Sequence, residues 1–406
     1  MNNKYNSLPM LRFPEFSGEW TQYKLGECFD ERNEQFPESS DYPLMAFIAG
    51  KGVTEKGEKY DRSALVKDAP NKKYKRTELG DFIYSSNNLE SGSIGLNRYG
   101  KACISPVYSI FKAKKGFDPY FIGTILTQKS FISEMIKYRQ GVVYGQWKIP
   151  EKEFLNLIIR IPSFGEQQRI AEFLEAEDRM IAAQEQKVES LKTHKKGLMQ
   201  QLFPQPGATT PALRFPGFTG DWQFVNGDKL FEPISNKKHN SDLPILALTQ
   251  DQGAVPREMI NYNVVVSDKS VTGYKVVEVD DFIISLRSFQ GGIEYSRYKG
   301  LCSPAYIVLR KKDKTLSSDF YRIYFKSFNY IQNLNKNLEG IRDGKMISYQ
   351  QFSEIMLPLP TANEQIMIAN CISSLDEVIL LESQKLESLK THKKGLMQQL
   401  FPQPVK

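Results

Sequence analysis

The chain has 406 residues, 40% hydrophobic and 12% aromatic, enough for packed cores in two to four domains. Its formal net charge of +7 leans mildly toward polyanionic partners. Four separated cysteines (Cys28, Cys103, Cys302, Cys371) exclude a CxxC-type zinc site or disulfide framework, and with no apolar signal core and no apolar run near the ~20 residues that span a bilayer, the expectation is a soluble cytoplasmic protein that meets no membrane.

In chain order, residues 1–160 read as a first globular half. Strands are expected at 81–85 and 107–111, a helix over 119–138 with Pro119 at its start, and a closing strand at 157–161. A long helix then runs from about 165 to 203 and is stopped by Phe203-Pro204, because proline cannot continue the hydrogen-bond ladder. Residues 213–358 repeat the plan, with strands at 281–285 and 305–309, a helix over 319–338 and a closing strand at 355–359. A second long helix follows and ends at Phe401-Pro402.

The two halves are copies of one design. Residues 187–206 and 385–404 agree at nineteen of twenty letters, at an offset of 198. Leu11-Arg12-Phe13-Pro14 through Trp20 returns as Leu213-Arg214-Phe215-Pro216 through Trp222. Asp81-Phe82-Ile83 returns as Asp281-Phe282-Ile283, and Arg98-Tyr99 as Arg297-Tyr298. Cys103 with Ser105-Pro106 returns as Cys302 with Ser303-Pro304, and Pro162, Glu166 and Gln167 as Pro360, Glu364 and Gln365. Between these anchors the halves differ almost completely. Drift after a tandem duplication does not spare one segment and scramble the next. The pattern suits one kind of partner met twice and two different ligands.

The helices carry a seam at alternating steps of three and four residues. It runs through Leu174, Glu177, Ile181, Gln184, Val188, Leu191, Lys195, Leu198 and Leu202, and again through Ile372, Leu375, Ile379, Glu382, Leu386, Leu389, Lys393, Leu396 and Leu400. This 3.5-residue period is that of a coiled coil, and each helix is roughly 60 Å long. The second globular half lies between the end of the first helix and the start of the second, so pairing within the chain is expected to be antiparallel. The same seam would serve pairing between chains, and spacing does not separate the two. The fold class expected is α+β: two similar mixed α/β domains, 1–160 and 207–358, joined by helices in 161–206 and 359–406 that form an antiparallel intramolecular coiled coil with pseudo-twofold symmetry.

Catalytic signatures are missing from the letters. Of three histidines, His194 and His392 lie in a lysine-rich stretch of the repeated helix, and His239 sits beside Lys237-Lys238 in a polar loop. No zinc-protease, nucleophile-elbow or phosphate-loop motif occurs; Gly340 to Lys345 has one residue too few between its glycines for the last. Binding is favoured over catalysis, and no metal is expected.

Residues 51–76 hold nine basic residues against four acidic ones, a charge balance that can neutralise phosphates. Lys72, Lys73, Lys75 and Arg76 are its candidate contacts. Two variable loops per half concentrate Asn, Gln, Arg, Lys, Ser and Gly. Side-chain amides pair with adenine, Arg and Lys with guanine, and Asp with cytosine. The candidate DNA-binding residues are Asn87, Asn88, Arg98, Gln140, Tyr144, Gln146 and Lys148 in the first half. In the second they are Arg287, Ser288, Gln290, Arg297, Arg342, Asp343 and Lys345.

The order Leu-Arg-Phe-Pro…Trp, variable globule, Pro…Glu-Gln, long helix, given twice, resembles the specificity subunit of type I restriction–modification systems over essentially the whole chain. The doubled helix end Lys-Lys-Gly-Leu-Met-Gln-Gln-Leu-Phe-Pro is the most specific part of the likeness. The resemblance implies two target recognition domains, each reading half of a split, asymmetric site on double-stranded DNA, and spacer helices that set the gap between half-sites. It implies two adenine methyltransferase subunits carrying S-adenosylmethionine, and two restriction subunits using ATP and Mg, with no cofactor in this chain. An enzyme with an unfamiliar site and a coiled-coil adaptor without nucleic acid are the competing readings.

Overall fold

The computed structural model describes residues 8–402 apart from 56–71, 88, 90, 144–145, 241, 261–270, 287 and 337–346. The chain divides into two compact units. The first holds the residues up to Ala183 together with those from Leu386 onward, and the second holds Gln184–Lys385.

In the first unit an antiparallel sheet orders its strands Phe29–Glu31, Ser109–Ala113, Phe82–Tyr84 and Ile94–Leu96. A second sheet orders Gln35–Phe36, Tyr74–Thr77 and Ala102–Ile104. Strand Thr21–Lys24 pairs with Ile158–Ile161 and brings the start of the domain to its end. The core is aromatic: Phe29, Phe82, Tyr84, Phe111, Phe121 and Phe154 are fully buried, with Phe111 and Phe154 ring centroids 4.6 Å apart. Aromatic pairs at such spacing add to the apolar area they remove from water.

The second unit repeats the four-stranded sheet as Phe231–Ile234, Ile307–Lys311, Phe282–Ile284 and Glu294–Tyr295. Strand Gln223–Asn226 pairs with Met356–Leu359, and Lys275–Val277 with Gly300–Cys302. Phe231, Phe282, Tyr321, Phe325, Tyr330 and Phe352 form its core. Each unit is thus a mixed α/β domain.

Two expectations shift in the same way in both halves. The strands expected at 107–111 and 305–309 start two residues later, at Ser109 and Ile307. Ser105-Pro106 and Ser303-Pro304 open turns closed by Tyr108 N–H to Ser105 O (3.3 Å) and Tyr306 N–H to Ser303 O (3.1 Å). The single helices expected over 119–138 and 319–338 are each two: Pro119–Leu126 with Lys129–Ile136, and Ser318–Tyr324 with Phe328–Lys336. At the first break the Thr127 hydroxyl donates to Gly123 O and Thr124 O, a local bond that competes with helix continuation, and Gln128 turns extended.

The repeated letters have repeated jobs. Arg12 grips Glu166 with two hydrogen bonds (2.8 and 2.7 Å) and donates to Gly18 O, while Arg214 grips Glu364 (2.7 and 2.9 Å) and donates to Gly220 O. Both glutamates are buried. Gln167 accepts from Asp118 N–H and donates to Pro162 O; Gln365 accepts from Ser317 N–H and donates to Pro360 O. Leu11 N–H donates to Gln399 O and Leu213 N–H to Gln201 O, both at 3.0 Å.

The long helices are Phe164–Leu202 and Ala362–Leu400, 39 residues each. In the first unit Ile170, Ala171 and Leu174 share a core with Leu396, Met397, Leu400 and Phe401. In the second, Ile368, Ala369 and Ile372 share one with Leu198, Met199, Leu202 and Phe203. The beginning of one helix therefore lies against the end of the other in both units. The terminal phenylalanines plug the domain cores: Phe401 meets Trp20 and Phe121, and Phe203 meets Phe320 and Tyr324. Leu174, Val188, Leu202, Ile372 and Leu400 are buried, and Ile181, Leu191, Leu198, Leu375, Ile379, Leu386, Leu389 and Leu396 half-buried. Among the described residues no helix is long and apolar enough to cross a membrane, and no group of three or more His, Cys, Asp and Glu could hold a metal ion.

Candidate nucleic-acid interface

In the first unit the two variable loops meet. The loop after strand Phe82–Tyr84 is closed by Ser85 N–H to Ser93 O (2.8 Å) and pinned by the buried Leu89. The hairpin Gln140–Val143 with Gln146–Lys148 returns beside it. Ile149, the next residue, donates its N–H to Ser86 Oγ (3.0 Å) and accepts from the Tyr84 hydroxyl (3.3 Å). Ser86 and Ile149 are 63 residues apart, so the fold joins what the chain separates. Asn87, next to Ser86, is half-buried, and among the described residues its side-chain carbonyl oxygen has no hydrogen-bond donor. Gln140 and Lys148 are exposed on neighbouring strand positions. Gln146 is in the hairpin strand, whereas Asn88 and Tyr144 lie outside the described residues.

The basic candidates separate by strand alternation. Lys72 and Lys73 are exposed just before strand Tyr74–Thr77. Lys75 points inward, 6% exposed, and its ammonium donates to Tyr108 O at 3.0 Å. The second unit does the same with Lys275 and Tyr306 O at 2.6 Å. Lys75 therefore serves the frame and is buried away from a phosphate. Arg76 faces the other way, with its guanidinium over the rings of Phe36 and Tyr42.

Arg98 links the domain to the long helices of its own unit. It lies over the Tyr120 ring, 4.5 Å from the centroid, and both terminal nitrogens donate to Asp178 Oδ2 at 3.1 Å. Tyr120 donates to the same oxygen (2.5 Å), and Lys393 pairs with the other. Burial pushes the Asp178 carboxyl up, but the bonds from Lys393 and Tyr120 and the charges of Lys393 and Arg98 outweigh it and hold the group below its ordinary value. Arg98 stays more than half exposed, with part of its surface still open to a ligand.

In the second unit Gln290 and Arg297 are exposed. Ser288 is fully buried and its Oγ accepts from Ser285 N–H (2.9 Å), so it shapes the loop from within. Arg287, Arg342, Asp343 and Lys345 lie outside the described residues. Sequence reasoning missed Glu294, buried and paired with Lys326 at 2.6 Å. Burial holds its carboxyl above the ordinary value against the pull of Lys326.

The two units thus share one frame and mount unlike polar loops on it. The family described as the type I restriction modification DNA specificity domain matches residues 17–193 and 220–391. The chain belongs to that family and is a specificity subunit. It is 26% identical over 302 residues to the putative type I restriction enzyme MjaX specificity subunit of Methanocaldococcus jannaschii, covering 71% of this chain and 68% of that one. It is 23% identical over 368 residues to the MjaVIII specificity subunit of the same organism, covering 84% of each. The crystal structure of a type I restriction–modification S subunit from M. genitalium shares its fold, with a TM-score of 0.57, 15% identity and coverage of 98% and 100%.

Proposed function

We propose that this chain reads a bipartite, asymmetric target on double-stranded DNA, one half-site per domain, and scaffolds two adenine methyltransferase subunits and, in the restriction complex, two restriction subunits. Residues 1–160 and 207–358 are the target recognition domains. The helices within 161–206 and 359–406 are the spacer, an antiparallel intramolecular coiled coil with pseudo-twofold symmetry, working in the cytoplasm. S-adenosylmethionine belongs to the methyltransferase partner, and ATP and Mg to the restriction partner.

The observation that carries this reading is the pairing of repeat-related residues. Gln184 bonds to Glu382, its own counterpart at an offset of 198. Lys195 pairs with Asp376, and Lys393 with Asp178, the same pair shifted by that offset. Reciprocal contacts of this kind belong to twofold pairing of like elements. Identity also extends to exposed positions that the seam does not need: Lys192, Thr193, His194 and Lys196, and again Lys390, Thr391, His392 and Lys394. An outward face kept the same twice suits two copies of one partner.

For DNA, the exposed Lys72, Lys73, Arg98, Gln140, Lys148, Gln290 and Arg297, with Asn87, are the contacts we favour. Asn88, Tyr144, Gln146, Arg287, Arg342, Asp343 and Lys345 join them by their place in the variable loops. Inserting four residues after Gln186 adds about one helical turn, ~5.4 Å. Methylation mapping should then show the gap between half-sites longer by about one or two base pairs, given the rise of ~3.4 Å per pair, with both half-sites intact. Altered half-sites or an unchanged gap would refute the spacer role.

A further inference from the structure

We propose that Arg76 is a DNA-phosphate clamp peculiar to the first domain, held ready by the rings of Phe36 and Tyr42; the proposal rests on the DNA-binding reading above. The guanidinium carbon lies 4.1 Å from the Phe36 ring centroid and 4.4 Å from that of Tyr42. Two rings crowd the guanidinium, which leaves little room for a stacking base and favours contact through the edge of the fork. A planar fork presented edge-on suits two phosphate oxygens.

Among the described residues no hydrogen bond or ion pair holds the Arg76 side chain, and its Nε is buried without an acceptor. Three nearby acids, Glu34, Glu78 and Asp81, pair with Arg32 instead, and Glu38, close enough to act on Cys103, makes no ion pair with Arg76 among the described residues. Tyr42 donates its hydroxyl to Glu78 at 2.6 Å, which fixes the ring that covers Arg76. Around it stand exposed cations, Lys72, Lys73 and Lys101, the last with its ammonium 5.7 Å from the Tyr42 ring. Point charges of this kind attract a phosphate chain without reading bases.

The second domain shows that folding does not require the arrangement. Arg76 pairs with Cys103 across the sheet, and its N–H donates to Glu34 O at 3.0 Å. Val276 holds the same register: it pairs with Leu301 and donates to Asn236 O at 2.7 Å. Pro43 O and Pro244 O accept from Cys103 and Leu301 in turn, so Leu243 stands where Tyr42 does. There the position is filled by an apolar cluster of Val271, Val276 and Leu301 with Leu243 packed against it. An apolar cluster satisfies the frame, and a stacked, unneutralised cation in its place marks an external anion.

The test uses the complex with the methyltransferase subunits and a duplex carrying the target found by methylome sequencing of the host, with affinity measured across a salt series. Arg76→Gln should weaken binding about fivefold near 0.15 M salt and lower the slope of log K against log salt by about one, as expected for one lost phosphate contact. The methylated sequence should stay the same. Arg76→Lys should keep the slope and lose part of the affinity, and it carries the test if the glutamine variant unfolds. Unchanged affinity and slope in a folded Arg76→Gln complex would overturn the proposal. So would a changed base in the first half-site, which would make Arg76 a guanine reader. Absence of binding by the wild-type complex would instead refute the DNA-binding reading itself.

Discussion

Gln184 donates from Nε2 to Glu382 Oε2 at 2.7 Å and to the Glu382 backbone carbonyl at 2.9 Å, and the two residues occupy the same place in the repeat. When two equal helices run in opposite directions, one position must face itself. Two glutamates there would repel. The chain avoids this by carrying Gln in one copy and Glu in the other, with Lys187 adding a third contact at 2.6 Å. Polar pairs in an otherwise apolar seam set register at some cost in stability.

Gln184→Glu should therefore lower the melting temperature at pH 7 by about 2–4 °C, on the scale of one lost interaction. The deficit should shrink as pH falls, because two facing carboxylates take up a shared proton. A pH-independent change in melting temperature would show that residues 184 and 382 do not face each other.

Arg12 and Arg214 close each domain onto its helix through glutamates that are about 1% exposed. Arg12→Met should cost about 3–5 kcal/mol by urea unfolding, since it strands a buried charge. Adding Glu166→Leu should recover much of that loss, because removing both polar partners is cheaper than removing one. A single-variant cost as small as that of an exposed ion pair would place the Arg12–Glu166 pair at the surface energetically.

Asp178 supplies a pH dependence whose sign is fixed. Its carboxyl sits below its ordinary value in the folded chain. Such a group contributes stability that is fully present above the unfolded value, ~3.9, and is lost as pH falls through the lower folded value. Asp178→Asn should lower the melting temperature at pH 7 and flatten the acid decline below about pH 4. A melting series from pH 3 to 7 with the same acid decline in both chains would contradict the network of Arg98, Tyr120 and Lys393.

The first unit draws its closing helix segment from Leu386 onward. Residues 387–404 duplicate 189–206 letter for letter, so a chain ending at 206 carries the same segment, with Val188 in place of Leu386. Residues 1–206 alone should therefore form a symmetric dimer by sedimentation, each copy completing the other. A folded monomer would show that the helices do not need a mate.

The frame was legible because it is written twice. Arg12, Glu166, Gln167 and Phe203 repeat, and each proved to make the same contact in each half. Lys75 sits in a basic run that suggests a phosphate contact, whereas its ammonium is turned inward to Tyr108 O. The signal for its true place was present: Tyr74-Lys75 precedes Asp81 by the same spacing that Tyr274-Lys275 precedes Asp281. Repeats hide other equivalences. Asp81 is held by Arg32, just past the strand Phe29–Glu31, and Asp281 by Arg310 in the strand Ile307–Lys311, so the ion pair recurs while the letters do not. The helix break at Thr127 depends on a hydroxyl bonding backward, which periodicity does not register. The meeting of Ser86 with Ile149 is a tertiary fact that no local pattern carries.

The most direct test of two independent readers on one frame is methylome sequencing of a host carrying this chain, beside a host whose copy has residues 1–160 replaced by the matching half of another specificity subunit. The account predicts that one half-site changes while the other half-site and the gap are kept. A change in both half-sites, or in neither, would contradict it.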